Sequence, residues 1–119
     1  MKFAQWSMPA SWILPTTGLL KSCPATRILQ EMAANNIWID AVSGNEVLRA
    51  LRAGHAKGQE PPVVCYTADV FRDNALQVVL ENGILPNIGS PGRIRDLAEA
   101  GYKGRISIRV NPGFGHGHV

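Results

Sequence analysis

Four side chains in this 119-residue sequence combine a reactive type with a telling place: Lys21, Asp40, Glu46 and Arg109. Lys21 follows the apolar run Gly18-Leu19-Leu20 and precedes a helical pattern. If that run ends a strand, the amine projects at its mouth. A lysine in an apolar setting can lose its proton readily and form a Schiff base; from spacing alone, an exposed lysine is the ordinary reading. Asp40 sits inside the apolar run Trp38-Ile39-Asp40-Ala41-Val42, where a carboxylate needs a partner. Glu46 follows across a strand end and a first helical turn, so both carboxylates could face one mouth, or Glu46 could simply cap the helix. Arg109 lies in the apolar run Arg105-Ile106-Ser107-Ile108-Arg109-Val110. A buried arginine seeks a carboxylate or a phosphate, with Asp40 or Glu46 as the expected partner and a plain structural ion pair as the alternative.

Other reactive side chains carry less. Cys23 and Cys65 sit on separate elements with no C-x-x-C spacing, so free packing thiols are expected. His116 and His118 alternate with glycines in the tail. Two histidines without a nearby cysteine or carboxylate fall short of a metal site, and none is expected. The tail glycines have neither the Walker nor the Rossmann spacing.

Such groups need a scaffold, and the chain spells one out. Strand-like runs begin near Ile37, Pro62, Ile84 and Arg105, recurring about every 22 residues as βα units of a parallel sheet do. A helix is expected over Pro24 to Asn36, with Ile28, Leu29 and Met32 on one face and Arg27 and Glu31 paired across a turn. Ser43 with Glu46 matches a capping box, followed by Val47, Leu48 and Leu51 as an apolar stripe and Gly54 as a stop. Val70 to Asn82 reads as a helix with Phe71, Ala75, Val78 and Val79 inward and Gly83 as its C-cap. Ser90-Pro91 starts a further helix whose apolar face is Ile94, Leu97 and Ala98. Residues 1–20 are read as an irregular N-terminal segment broken by Pro9, Pro15 and Gly18, and residues 21–119 as part of a barrel. A whole eight-unit barrel takes at least ~200 residues, so this chain holds about half of one at most. Its chemistry belongs at the C-terminal strand ends.

Composition narrows the function class. The chain is 45% hydrophobic and 18% charged, with a net charge of +3. Its arginines are scattered among helices with acidic neighbours, which argues against nucleic acid. No run reaches the 18 or so apolar residues of a membrane span, and the N-terminal stretch lacks a signal peptide's continuous apolar core. A cytoplasmic protein is the default expectation.

Taken together, three segments resemble one family. Lys21-Ser22-Cys23-Pro24-Ala25-Thr26-Arg27-Ile28-Leu29 is similar to the segment of fold-type III pyridoxal-phosphate decarboxylases whose lysine holds the cofactor. Asp40-Ala41-Val42-Ser43-Gly44-Asn45-Glu46 resembles the family's Asp-x-x-Ser-x-x-Glu stretch, and Arg109-Val110-Asn111-Pro112-Gly113 its Arg-Val-Asn-Pro strand end. The matches fall in family order over residues 21–119. They point to the diaminopimelate, ornithine and arginine decarboxylases, nearest to the diaminopimelate branch. The resemblance implies an alanine-racemase-like barrel followed by a β-domain, a homodimer, pyridoxal 5'-phosphate as cofactor and a small amino acid as substrate. In the diaminopimelate branch that reaction turns meso-diaminopimelate into L-lysine. Carried over, Lys21 is the catalytic lysine that binds the cofactor, Asp40 and Glu46 shape the site around it, and Arg109 holds the local charge network. The family's cofactor-stacking histidine and Gly-rich phosphate loop come later than Val119, and His116 and His118 do not stand in for them. Met1 to Gln5 itself resembles the strand expected before the lysine, which makes Trp6 to Leu20 a 15-residue insertion or a misassigned start.

This implies a barrel fragment inactive by itself. Two other readings stay open: a non-catalytic pyridoxal-phosphate-binding barrel, and a small self-associating α/β module.

Overall fold

The structure, a computed structural model, describes residues 17–20 and 25–110. Five strands and four helices alternate. They are β1 (Thr17–Leu19), α1 (Thr26–Ala34), β2 (Trp38–Ala41), α2 (Gly44–Arg52), β3 (Val64–Thr67), α3 (Ala75–Asn82), β4 (Leu85–Ile88), α4 (Pro91–Glu99) and β5 (Ser107–Ile108). The strands form one sheet in the order β1-β2-β3-β4-β5, and all four pairings are parallel. Strands that neighbour in sequence and in space, with a helix in each crossover, make the wall of a partial (β/α)8 barrel.

Strand alternation sorts the side chains onto two faces. Ile39 and Ala41 of β2, Val64 and Tyr66 of β3, and Ile88 of β4 are at most 1% exposed. They pack under Leu29, Val47, Ala50, Val78, Val79 and Leu97 of the helices, forming one core. Their neighbours Trp38, Asp40, Cys65, Thr67, Leu85 and Asn87 are half-buried and face the other way. That second, more polar face is the concave inner side of the wall.

Local chemistry sets the element ends. Ser43 Oγ accepts from Glu46 N–H at 3.2 Å, the first half of a capping box, while Glu46 Oε2 accepts from Val42 N–H at 2.8 Å, one residue before the N-cap amide that a standard box would use. Gly83 ends α3 at φ +61, a left-handed conformation that favours glycine. Pro91 stands in the first turn of α4 behind Ser90, whose side chain makes no capping bond. Arg27 and Glu31 pair at 3.7 Å with both side chains mostly exposed, which contributes only a few tenths of a kcal/mol.

Several sequence expectations need correction. The sheet starts at Thr17, inside the segment read as irregular, and β1 pairs directly with β2. A strand thus stands two residues before Lys21 in the sequence, at Thr17–Leu19; Met1 to Gln5 and most of the stretch read as an insertion lie outside the described residues. The helix expected from Val70 begins only at Ala75. Asp73 at φ +50 interrupts helical geometry, and Val70 is 45% exposed. Ile28, Ile94 and Ala98 face solvent rather than the core, because each helix buries a narrower stripe centred on Leu29 or Leu97.

The last strand covers only Ser107–Ile108, since the backbone before it is engaged elsewhere. Arg105 N–H donates to Gln59 Oε1 at 2.8 Å, and the Arg105 carbonyl accepts from Gln59 Nε2 and from the Tyr102 hydroxyl, each at 3.0 Å. Tyr102 also reaches the Ile84 carbonyl at 3.0 Å. This Gln59–Tyr102–Arg105 cluster clamps the N-terminal ends of β4 and β5. A second connection, also unmarked in the sequence, is His55. It is 5% exposed, with its ring nitrogens 3.2 Å from the carbonyls of Ala50 and Ile37, joining the end of α2 to the start of β2.

Candidate functional site

The concave face carries the candidate chemistry. Thr17, Trp38, Asp40, Cys65, Thr67, Leu85 and Asn87 line an open hollow of about 250 Å³ against it. Register explains the grouping: Leu19, Asp40, Cys65 and Leu85 occupy one level of the wall, and Thr67, Asn87 and Ser107 the next toward the C-terminal strand ends. Asn87 Nδ2 donates to Thr67 Oγ1 at 3.3 Å, and Thr67 Oγ1 lies 3.9 Å from Cys65 Sγ.

Asp40 is the outlier on this face. Its Oδ1 is buried without a hydrogen-bond partner among the described residues. A buried carboxylate oxygen left unpaired costs stability unless something else completes it. None of the described side chains supplies Asp40 Oδ1 with a partner. Cys65 beside it has its thiol pushed above the usual range, chiefly by burial, against a downward pull from the Thr67 hydroxyl and with a smaller upward push from the Asp40 charge. Cys65 is a free thiol on the concave face rather than in the core.

Glu46 is used differently. Its carboxylate is spent on Val42 N–H, and it does not line the hollow. What it does structurally is fix how the chain leaves β2, one residue beyond the strand that carries Asp40.

Arg109 departs most from expectation. It is not buried within a strand: it lies just beyond β5, its side chain 54% exposed, with its N–H donating to the Ile88 carbonyl at 2.8 Å. Its partner is neither Asp40 nor Glu46 but Asp69, whose two carboxylate oxygens each lie 3.0 Å from Arg109 Nη2. Geometry gives the reason. β2 is three strands from β5, roughly 14 Å at the usual strand spacing, whereas the chain end of β3 is two strands away across Gly89. An ion pair this exposed contributes about 0–1 kcal/mol to stability. Asp69 was missed because nothing in Ala68-Asp69-Val70 distinguishes it from a helix-capping aspartate.

Lys21 lies outside the described residues, as do Cys23, His116, His118 and the Asn111-Pro112-Gly113 end of the third family-like segment. Among the described residues no helix is long and apolar enough to cross a membrane.

A parallel wall with its polar groups gathered on the concave side, toward the C-terminal strand ends, is the layout of a barrel enzyme's binding domain. The sequence defines which one: the chain belongs to the pyridoxal-dependent decarboxylases, whose pyridoxal binding domain matches residues 16–119. The diaminopimelate decarboxylase of Streptomyces coelicolor is 40% identical over 98 residues, 82% of this chain and 22% of that protein. That of Escherichia coli K12 is 39% identical over 98 residues, 82% of this chain and 23% of its own length. Among solved structures, a diaminopimelate decarboxylase superposes with a TM-score of 0.77 at 36% identity, covering 87% of this chain and 25% of that one. The Helicobacter pylori diaminopimelate decarboxylase complexed with L-lysine superposes at 0.70 and 27% identity, covering 82% and 25%. The chain thus spans about a quarter of the length of these relatives. The family match decides against an unrelated α/β module.

The family's cofactor is pyridoxal phosphate, and the residues on the concave face fit it. Asp40 offers a carboxylate oxygen with no partner among the described residues, beside the hydroxyl and amide of Thr67 and Asn87.

Proposed function

We propose that this chain forms the first part of the pyridoxal phosphate site of an amino-acid decarboxylase of the diaminopimelate type, converting meso-diaminopimelate to L-lysine. The observation that carries the reading is Asp40. Its buried, unpaired oxygen faces the hollow of a domain that is 40% identical to a diaminopimelate decarboxylase.

When bound, the cofactor supplies an electron sink for the loss of carbon dioxide. The chain's own residues bind and orient. Lys21, two residues after β1 in the sequence, would hold the cofactor through its amine. Support comes from register, because Leu19 of β1 is level with Asp40 of β2. Asp40 accepts a proton-bearing group through Oδ1. Glu46 holds Asp40's strand end in place through Val42 N–H. Arg109 presents a fixed positive charge at the mouth. Trp38 and Leu85 supply apolar wall on either side of the polar groups and keep water from the Asp40 level.

The domain in this reading is the partial barrel of residues 21–119 together with β1. The substrate is a small amino acid. A homodimer and the further chain that completes the barrel belong to the same reading, and decarboxylation is assigned to that completed site rather than to this segment alone.

The test is to incubate the purified chain with pyridoxal phosphate, reduce with borohydride and map the modified peptide. Label confined to Lys21 is expected. Label spread over Lys57 and Lys103 would sink the assignment. Lys21→Ala should abolish labelling while leaving the melt unchanged.

A further inference from the structure

We propose that Asp69 is the positioning residue for Arg109, setting the direction of its guanidinium over the mouth of the site; this rests on the reading that Arg109 serves pyridoxal phosphate there. The argument begins with Gly89. A Cβ built on Gly89 would lie 2.5 Å from Asp69 Oδ1 and 3.3 and 3.4 Å from Arg109 Nη2 and Nε. Gly89 is not among the glycines with a left-handed backbone. Conformation therefore does not require glycine at this point, but the pair in this arrangement leaves no room for a side chain there. The missing side chain on the intervening strand lets a carboxylate after β3 meet a guanidinium after β5.

The register makes this meeting systematic. Thr67, Asn87 and Ser107 are level with one another, and Asp69, Gly89 and Arg109 each follow two residues later, beyond the C-terminal ends of their strands. Asp69 is itself held. Below it, the Tyr66 hydroxyl donates to the Val70 carbonyl at 2.9 Å, and the Tyr66 ring stacks on Phe71 with centroids 5.3 Å apart. The loop carrying the carboxylate is thereby anchored to the core.

The pair is too exposed to matter much for stability, so the glycine slot and the anchored loop need another reason. Asp69 engages Arg109 through Nη2. The remaining donors of the guanidinium, Nε and Nη1, keep their capacity for an anionic ligand. Holding one corner of the fork restricts a side chain that otherwise samples many rotamers, lowering the entropy lost on binding.

The test uses the 119-residue chain and pyridoxal phosphate as the probe, with two readouts. The first is the ¹H–¹⁵N signal of the Arg109 guanidinium without ligand. It should be slow to exchange in the wild type and in Asp69→Glu, and lost in Asp69→Asn and Gly89→Ala. The second is cofactor affinity by fluorescence quenching, which should weaken about fivefold in Asp69→Asn, recover in Asp69→Glu, and fall no further when Asp69→Asn is added to Arg109→Ala. A guanidinium signal unaffected by Asp69→Asn would overturn the proposal, as would effects of Asp69→Asn and Arg109→Ala that multiply. If Arg109→Ala leaves affinity unchanged while the guanidinium signal still depends on Asp69, the reading of Arg109 as a cofactor residue is what fails, and the positioning role at the site falls with it.

Discussion

Asp40 and Cys65 are register partners on β2 and β3, and the carboxylate sits where it discourages the thiol from ionising. Burial raises the Cys65 thiol first and the Asp40 charge adds to it. Cys65 should therefore alkylate slowly at neutral pH, its rate climbing only above the ordinary thiol value of 9.0. Asp40→Asn should bring that climb to lower pH. Iodoacetamide labelling across pH, with peptide mapping to separate Cys65 from Cys23, checks both; a rate that Asp40→Asn leaves unchanged would show that the two groups do not communicate.

Alkaline stability follows with a definite sign. Cys65, Tyr66 and Tyr102 all have folded-state values raised above 9.0, 10.0 and 10.0, in each case chiefly by burial. The unfolded chain then loses these protons before the folded one does. Stability is fully present below pH 9 and declines as pH rises through that value and past 10 toward the raised folded ones. Urea midpoints measured from pH 8 upward should fall, and Tyr102→Phe should flatten part of the decline.

Replacing Asp40 should separate stability from binding. Asp40→Ala removes a buried oxygen that has no partner among the described residues, so the ligand-free chain should gain about 1 kcal/mol, a rise of a few degrees in Tm. The same change should weaken pyridoxal phosphate binding, the usual cost of stabilising a functional site. Loss of stability in Asp40→Ala would mean that the carboxylate is structural.

The capping box offers a local check. Ser43→Ala removes the oxygen that accepts Glu46 N–H and should cost about 1 kcal/mol. Glu46→Gln keeps an acceptor for Val42 N–H and should cost much less. Thermal melts of the two variants distinguish them.

The clamp at the opposite end of the wall should be the costlier one to break. Gln59→Ala takes the acceptor from Arg105 N–H and one of two donors from the Ile84 and Arg105 carbonyls, which keep the Tyr102 hydroxyl, and should destabilise by about 1–3 kcal/mol. The urea midpoint should move without a change in slope.

Much of this was legible in the residues. Apolar runs separated by capping and stop signals marked every βα unit from Ile37 onward, because periodicity and caps are local properties. The family-like segments pointed to the right family because they hold reactive residues in a fixed order. What escaped were relationships between distant segments. Asp69 looks like any loop aspartate until register brings it level with Arg109, and Gly89 looks like any turn glycine until the space above it is measured. Gln59 and His55 act through backbone carbonyls, which no side-chain pattern announces. The late start of α3 escaped for a local reason: Asp73 takes up a left-handed backbone that an aspartate tolerates without signalling.

The strictly sequential strand order has a consequence for how the chain is made. Each strand pairs with the one that left the ribosome about 20 residues earlier, so no strand waits for a distant partner. Assembly can proceed vectorially, every new βα unit docking on a finished edge. The growing edge stays adhesive until the next strand arrives, which makes synthesis rate, and any pause within it, a determinant of whether nascent chains close on themselves or on one another.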